Sequence, residues 1–373
     1  MFTLLLAGCI FALSAQTDAA HSHSHGGRKI EFPNIPGFQT LKCDFHMHTV
    51  FSDGNVWPTI RVEEALKDGL DAIAMTEHLE YQPHKEDIPH PDRNRAFDIA
   101  SKFAQSYDLI VVRGSEITRG MPPGHNNAIF LTDANKLLVE DPIEAFREAK
   151  RQGAFIFWNH PMWTAQAKDG VARLTDMHKQ LIAEGLLDGI EVINETTYSQ
   201  EAVTIAQENG LTIMGTSDVH GLVDWDFDLE NGGHRPVTLV FATEKTEAGI
   251  KEALENRRTV GWFNNILVGE SDWMMPLLQA SLVVEKAEYS KNTQVAVVTI
   301  HNTSDAVFQL ENLSPYSFHR HADFVTIGAH ETVELEVKTL ELKDTFELKF
   351  KVFNAYIGAE LHPELVLPVV ISK

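Results

Sequence analysis

The sequence predicts an α/β protein: a distorted (β/α)7 barrel carrying a C-terminal antiparallel β-sandwich. Three observations predict it. Between residues 39 and 274, short apolar runs alternate with amphipathic stretches, the pattern of repeated βα units around a parallel sheet. After about residue 275 only short runs remain, several with strict apolar–polar alternation, and this is the period of a half-buried strand. The side chains able to hold metals also stand at the ends of the apolar runs of the first region, where a parallel barrel would gather them on one face.

Taken in order, residues 1–20 (MFTLLLAGCIFALSAQTDAA) form a short apolar stretch ending in small residues, which reads as a signal peptide cleaved near Ala19 or Ala20. Its first part lacks a Lys or Arg, and Leu6-Ala7-Gly8-Cys9 also reads as a lipobox that would make Cys9 a lipid anchor. Both readings export the protein, to a periplasm or beyond; the remaining alternative is a retained or misassigned start. Residues 21–38 open with HSHSHGGRK and read as a His-rich linker; the alternative is an arm that gathers metal. Strands are expected at 41–46, 71–76, 109–115, 154–159, 188–193, 211–216 and 237–242. Between them lie helical patterns such as TIRVEEALKDG and DPIEAFREAKRQG, with Pro58 and Pro142 near their starts and Gly69 and Gly153 at their ends. Seven strands fit better than eight, and an open doubly wound sheet is the structural alternative. Residues 275–373, with runs such as QVAVVTIHN and FELKFKVFN, read as the sandwich, and His319, Arg320 and His321 as a surface loop within it.

Composition narrows the partners. A formal net charge of -22 argues against a basic nucleic-acid surface, though not against a short nucleotide neutralised locally by metal. Two cysteines, Cys9 and Cys43, exclude a Cys-based zinc site and a disulfide framework. Beyond the N-terminus no segment approaches the ~20 apolar residues of a membrane span.

The metal-type residues fall in five motifs. CDFHMHTVFSDG holds His46, His48 and Asp53; TEH holds Glu77 and His78; GSE with the downstream GHNN holds Glu116 and His125; NHP holds His160; SDVH holds Asp218 and His220. Singly each has an ordinary reading, as a core histidine, a turn former or a surface acid. Their joint order resembles the PHP family (polymerase and histidinol phosphatase) over roughly residues 40–242. The resemblance implies a (β/α)7 barrel with a trinuclear site. His46, His48 and Asp218 would bind a first ion, with Glu116 bridging to a second that His125 and His160 complete. Asp53, His78 and His220 would hold a third. Many relatives carry Asp where this chain has Glu77, which puts Glu77 in doubt as a direct ligand.

The chemistry expected of such a site is phosphoester hydrolysis. Three divalent ions (zinc, manganese or iron) could lower the pKa of a bridging water and absorb phosphoryl charge, with Asp218 and His220 as the catalytic pair. Asn194, Arg119 and Arg235 are candidates to bind substrate, the arginines by a bidentate grip, with solvated surface charge as the competing reading. Trp163 and DWDFDLENGG after His220 could form an aromatic and acidic wall. The expected substrate is a small phosphorylated metabolite or nucleotide, not long nucleic acid. The alternatives are an amidohydrolase-type C–N or lactone hydrolase, and a non-enzymatic metal- or glycan-binding surface protein. Against the first, no Lys ends a strand where such sites place a bridging lysine.

Overall fold

The computed structural model describes residues 29–372, so the signal-peptide and lipobox readings and most of the His-rich tract lie outside the described residues. Eleven strands build the first part: β1 (Gln39–Asp44), β2 (Ala72–Met75), β3 (Ile110–Thr118), β4 (His125–Ile129), β5 (Phe155–Trp158), β6 (Gly189–Asn194), β7 (Thr197–Tyr198), β8 (Thr212–Thr216), β9 (Val237–Ala242), β10 (Thr259–Phe263) and β11 (Ile266–Gly269). The seven expected strands correspond to β1, β2, β3, β5, β6, β8 and β9.

The barrel is distorted in two ways that strand counting did not anticipate. First, β4 is inserted antiparallel between β3 and β5. Its sequence, HNNAI, is polar where a core strand would be apolar, because Asn126 and Asn127 are buried in hydrogen bonds to backbone carbonyls rather than in apolar packing. Secondly, β9 runs antiparallel to β1, whereas β1–β2, β2–β3, β5–β6 and β6–β8 are parallel. Whereas β8 pairs with β6 in a ladder, hydroxyls tie it to β9 and β10. Thr238 Oγ1 donates to the Gly215 carbonyl (2.8 Å) and accepts from its N–H (3.0 Å), and Thr259 Oγ1 donates to Ile213 O (2.7 Å).

The barrel strands are buried on both faces, which is why they read as near-continuous apolar runs. The helix Pro58–Asp68 illustrates the covering layer. Proline opens it, and Gly69, at φ 68°, closes it by donating to the Ala65 and Leu66 carbonyls. Residues 30–38, read as linker, instead pack on the barrel. Ile30 and Ile35 are buried, Ile30 N–H donates to Asp68 O (2.8 Å), and Phe32 meets Trp262 edge to face at 5.0 Å. Apolar residues at 30, 32, 35 and 38 explain the difference, since a solvated tether would leave them wet.

Two four-stranded antiparallel sheets follow. One orders β12 (Leu282–Tyr289), β13 (Val295–Asn302), β17 (Thr332–Lys338) and β15 (Ser317–Phe318); the other orders β16 (Phe324–Ile327), β14 (Phe308–Asn312), β18 (Thr345–Val352) and β20 (Glu364–Val370). Alternating burial along β13 and β18 puts one face of each sheet in the shared core. His319, Arg320 and His321 are exposed, as read from sequence. The sandwich is joined to the barrel by the short β19 (Ala355–Tyr356), which pairs parallel with β11. Asn265 exchanges hydrogen bonds with both polar groups of the Val307 backbone (2.7 and 2.8 Å). One apolar cluster runs from Ile73 and Trp262 in the barrel to Val298 and Phe308 in the sandwich. Among the described residues no helix is long and apolar enough to cross a membrane.

Candidate metal centre

The residues that follow β1 and β8 are laced side by side. Asp218 N–H donates to His46 O (2.8 Å) and His48 N–H to Val219 O (3.1 Å). Arg61, fully buried on the helix Pro58–Asp68, locks this pair of segments: Nε donates to His48 O (2.9 Å) and Nη2 to Val219 O (3.1 Å), while Glu64 holds Nη1 (2.7 Å). His46 and His48, two apart on an extended segment, therefore project to the same side. Asp53 comes from the turn after them, closed by Gly54 N–H to Thr49 O (2.9 Å). A Cβ on Gly54 would lie 2.6 Å from the His48 carbonyl oxygen, so only glycine lets this turn fold back on the histidines. His78 follows β2, Glu116 is within β3, His125 opens β4, and His160 follows β5.

All nine side chains expected as ligands meet at one end of the barrel. They fall into four overlapping groups whose ligand atoms lie within 4.8 Å of one another: His48, Asp53, His78 and His220; His46, His160 and Asp218; His46, His48 and Glu116; His78, Glu116 and His125. His46 Nε2 and His48 Nε2 are 3.1 Å apart, and Asp218 Oδ1 is 3.0 Å from each. Asp53 sits 3.2 Å from both His78 Nε2 and His220 Nε2. Glu116 lies between the groups, 3.0 Å from His125 Nδ1 and 3.5 Å from His160 Nε2.

These residues fit divalent metal. Asp53 Oδ1, Glu116 Oε2 and Asp218 Oδ1 are buried yet accept no well-formed hydrogen bond. Buried carboxylate oxygens that face imidazole nitrogens at 3 Å, without satisfying them, are arranged around a cation between them. The electrostatics agree. Burial opposes charge on His46 and His78, but Asp218 and Glu191 outweigh it at His46 and raise it to about 10, while Glu116 and Asp53 raise His78 to about 11. His48, buried and beside His78 and His220, is pushed down to about 3. Against burial, the surrounding imidazoles hold Asp53, Glu116 and Asp218 well below the ordinary carboxylate range. The cluster thus balances positive and negative charge among side chains that bind metal once the imidazoles lose their protons.

A second ring of side chains orients the first. Glu191, fully buried on β6, accepts from His46 Nδ1 (2.7 Å), Thr216 Oγ1 (2.6 Å), the His160 N–H (2.6 Å) and Asn194 Nδ2 (2.9 Å). Its hold on Nδ1 turns His46 Nε2 toward the other ligands. Sequence reading missed it; the signal available was a lone acid in the apolar strand GIEVIN. Asn159 Nδ2 donates to Glu116 Oε1 (2.8 Å). Glu77 is outside the ligand groups and instead caps the turn below Asp53, accepting from Thr49 Oγ1 and Ser52 Oγ, both at 2.5 Å.

The three residues expected to bind substrate divide. Asn194 is at the centre, its amide 3.3 Å from Asp218 Oδ2. Arg235 is not available. It is 1% exposed and clamped between Asp68 (Nε–Oδ2, 2.8 Å) and Asp44 (Nη1–Oδ2, 3.2 Å), so its charge neutralises two buried carboxylates. Arg119 is likewise committed, to Glu80 Oε1 (2.7 Å) and the Val139 and Glu140 carbonyls (2.5 and 3.1 Å). An arginine near a strand end does not disclose in sequence which way its long side chain turns. Trp163 does form a wall, its ring centred 5.2 Å from His160 and 5.6 Å from His125. Trp225 is 80% exposed and lines none of the cavities at the centre.

Histidines and carboxylates converging at the open end of a β/α barrel, their backs fixed by buried carboxylates and amides, belong to a metal-dependent hydrolase. Comparison with known proteins refines that class. The chain is 41% identical to a two-domain protein from Bacteroides vulgatus containing a predicted PHP-like metal-dependent phosphoesterase; the match covers 92% of this chain and 99% of that one, with a TM-score of 0.86. The chain belongs to the PHP-like metal-dependent phosphoesterase family. A family model described as an Ig-like domain matches residues 282–368, the two antiparallel sheets. An uncharacterized protein of Methanocaldococcus jannaschii is 38% identical over 85 residues, 22% of this chain and 36% of that protein, so the chain spans about a third of this curated relative. PsfC from Pseudomonas syringae, 16% identical with a TM-score of 0.42 over 61% of this chain and 92% of that one, is too distant to bear on function.

Proposed function

We propose that this protein hydrolyses a phosphoester bond of a small phosphorylated metabolite outside the cytoplasm, using three divalent ions held by the nine converging side chains. The observation that carries the reading is the set of buried carboxylate oxygens of Asp53, Glu116 and Asp218, each facing imidazoles and none of them hydrogen-bonded. His46, His48 and Asp218 would hold one ion, Glu116, His125 and His160 a second with Glu116 shared, and Asp53, His78 and His220 the third. Bound zinc, manganese or iron would supply a water nucleophile active at neutral pH and positive charge against the phosphoryl oxygens.

The chain's own residues do the rest. Glu191 keeps His46 Nδ1 protonated and its Nε2 directed at the ligands. Asn194 holds Asp218 in place while presenting an amide edge to the mouth. Trp163 covers His125 and His160 and restricts water there. His220 has the most exposed side chain of the nine, with 33% of its surface open, and its Nδ1 donates to the Asp218 carbonyl (2.7 Å), which turns Nε2 toward Asp53. Among the described residues no lysine lines the mouth to serve as the bridging group of a C–N hydrolase, and Glu116, shared between two of the ligand groups, supports a bridging carboxylate instead. Export rests on the apolar, small-residue-ended segment 1–20.

The test is hydrolysis of matched aryl phosphate monoester and diester by the full chain, reconstituted with manganese or zinc, beside His48→Ala. Turnover that the variant loses supports the reading and identifies the preferred ester. Turnover equal in wild type and variant, or none by metal-loaded wild type on either ester, overturns it.

A further inference from the structure

Beyond the mouth, the molecule continues the site in a direction that the ligand geometry does not explain. The mouth itself is small, about 170 Å³. It shares Glu195, Asp218 and His220 with an adjoining cavity of about 430 Å³. That cavity in turn shares Thr196, Asp226 and Phe227 with a third of about 750 Å³. The far side of the third is not barrel at all: Asp305, Val307 and Ala329 come from the sandwich. Lining residues shared pairwise place the three cavities side by side, a trough in three parts from the metal ligands to the second domain. Among the described residues no lysine or arginine lines any part of it.

We propose that this trough binds the alcohol portion of the substrate, and that the substrate is a glycosyl phosphate: one phosphoryl group on a neutral sugar of two or three rings. This inference rests on the phosphoesterase reading for the position of the phosphoryl group. The lack of any lysine or arginine among the described lining residues is the first argument. A second phosphate in the trough would meet Glu195, Asp226, Asp228 and Asp305 with no lysine or arginine among the described lining residues to neutralise it, so nucleoside diphosphates and oligonucleotides are disfavoured. The hydrogen-bonding character is the second. Asp226 accepts from Gly221 N–H (3.0 Å), Asp228 from Asn231 Nδ2 (2.7 Å) and Asp305 from Glu31 N–H (2.8 Å). Each carboxylate is fixed in place by the protein, Asp305 also by His330 Nε2 at 3.1 Å, and keeps lone pairs for hydroxyl donors. The floor is the third. Phe227 and Phe263 meet edge to face at 6.0 Å, giving an apolar corner against which the C–H groups of a sugar ring can rest. Size is the fourth argument: a choline-sized cation would leave most of the 750 Å³ cavity unfilled, which favours a longer alcohol.

The shape also assigns a role to the Ig-like domain. Through the Asn265–Val307 hydrogen bonds and the β11–β19 pair, it holds its rim at a fixed distance from the ligands. The two domains together therefore set how long an alcohol the site accepts.

The experiment measures kcat/KM of the metal-reconstituted full chain on maltose 1-phosphate, phosphocholine, a nucleoside diphosphate and an aryl phosphate, for wild type and Thr196→Trp. Thr196 is exposed at the neck between the second and third cavities, so the indole narrows the passage without entering the protein core. The expected result is a preference of roughly tenfold or more for the maltosyl ester over phosphocholine and the diphosphate, the worth of one or two hydroxyl–carboxylate hydrogen bonds. Thr196→Trp should lower the maltosyl rate at least several times more than the aryl rate. Equal rates on maltosyl and choline esters, faster turnover of the diphosphate, or a variant that slows every ester alike would overturn the proposal. If no phosphate ester is hydrolysed, the phosphoesterase reading fails separately. Calorimetric titration with maltose then decides the trough: binding weakened by Thr196→Trp upholds it, and no binding to wild type refutes it.

Discussion

Replacing Glu191 with glutamine tests whether the ring behind the ligands, rather than the ligands alone, makes the metal centre. The carboxylate accepts four hydrogen bonds, two on each oxygen: His46 Nδ1 and Thr216 Oγ1 on Oε1, the His160 N–H and Asn194 Nδ2 on Oε2. An isosteric amide can keep its oxygen toward His46 and Thr216, but its NH2 then faces two donors. Asn194 can flip its amide; the His160 N–H is backbone and cannot. At least one buried donor is orphaned, costing about 1–3 kcal/mol of stability. The negative charge that helps raise His46 is lost as well. For a partner that orients a metal-bound histidine, the expected loss of metal affinity is about 10- to 100-fold, or about 1.4–2.7 kcal/mol. The assay is titration of the metal-free variant with manganese, followed by calorimetry and by turnover of the aryl ester, with circular dichroism as the check on folding. A folded Glu191→Gln variant that binds manganese within twofold of wild type would refute the reasoning and leave Glu191 an ordinary buried acid.

Other expectations follow from the same geometry. Arg235→Gln leaves Asp44 and Asp68 buried without their cation, so it should cost about 3–5 kcal/mol of stability; denaturant melts check this, and a raised KM in a fully stable variant would return Arg235 to the substrate site. Asp218→Ala should remove both metal binding and turnover, readable by metal analysis of the dialysed protein. His178 accepts from Thr175 N–H at Nδ1, donates to Pro123 O from Nε2, and is pushed down to about 4 by burial. Its folded pKa lies below the unfolded value of 6.5, so its stabilising effect is present above pH ~6.5 and lost as pH falls toward 4, by up to ~3 kcal/mol. His178→Gln, which keeps a helix-capping side chain, should therefore show a shallower loss of stability between those pH values; an unchanged slope would contradict the assignment. Deleting residues 282–373 should give insoluble protein, because the apolar cluster is continuous from Ile73 to Phe308 and the cut exposes its middle.

How much of this was legible in the chain depends on range. The βα alternation follows from local periodicity, and the seven expected strands are present because each is an apolar run between helix stops. The ligand motifs were legible for a related reason: residues at strand ends share a face whatever the loop lengths, so His46, His78, Glu116, His160 and Asp218 meet in any barrel built from these strands. β4 was not legible, because its burial is satisfied by Asn126 and Asn127 amides instead of apolar contacts. Nor was the direction of β9, which depends on its pairing with β1 far away in sequence.

The fold class was legible from local periodicity, and the family and its ligand set from the resemblance that five motifs carry in their order along the chain. Tertiary structure alone decided which charged side chains are free and which are consumed. Arg235 and Arg119 look like anion grips in sequence and are spent on carboxylates and carbonyls, while Glu191, silent in sequence, holds His46. The physical reason is that a charge's role is set by which opposite charge lies within about 4 Å and how much water is excluded between them. Residues 68 and 235, or 46 and 191, become neighbours only when the barrel closes.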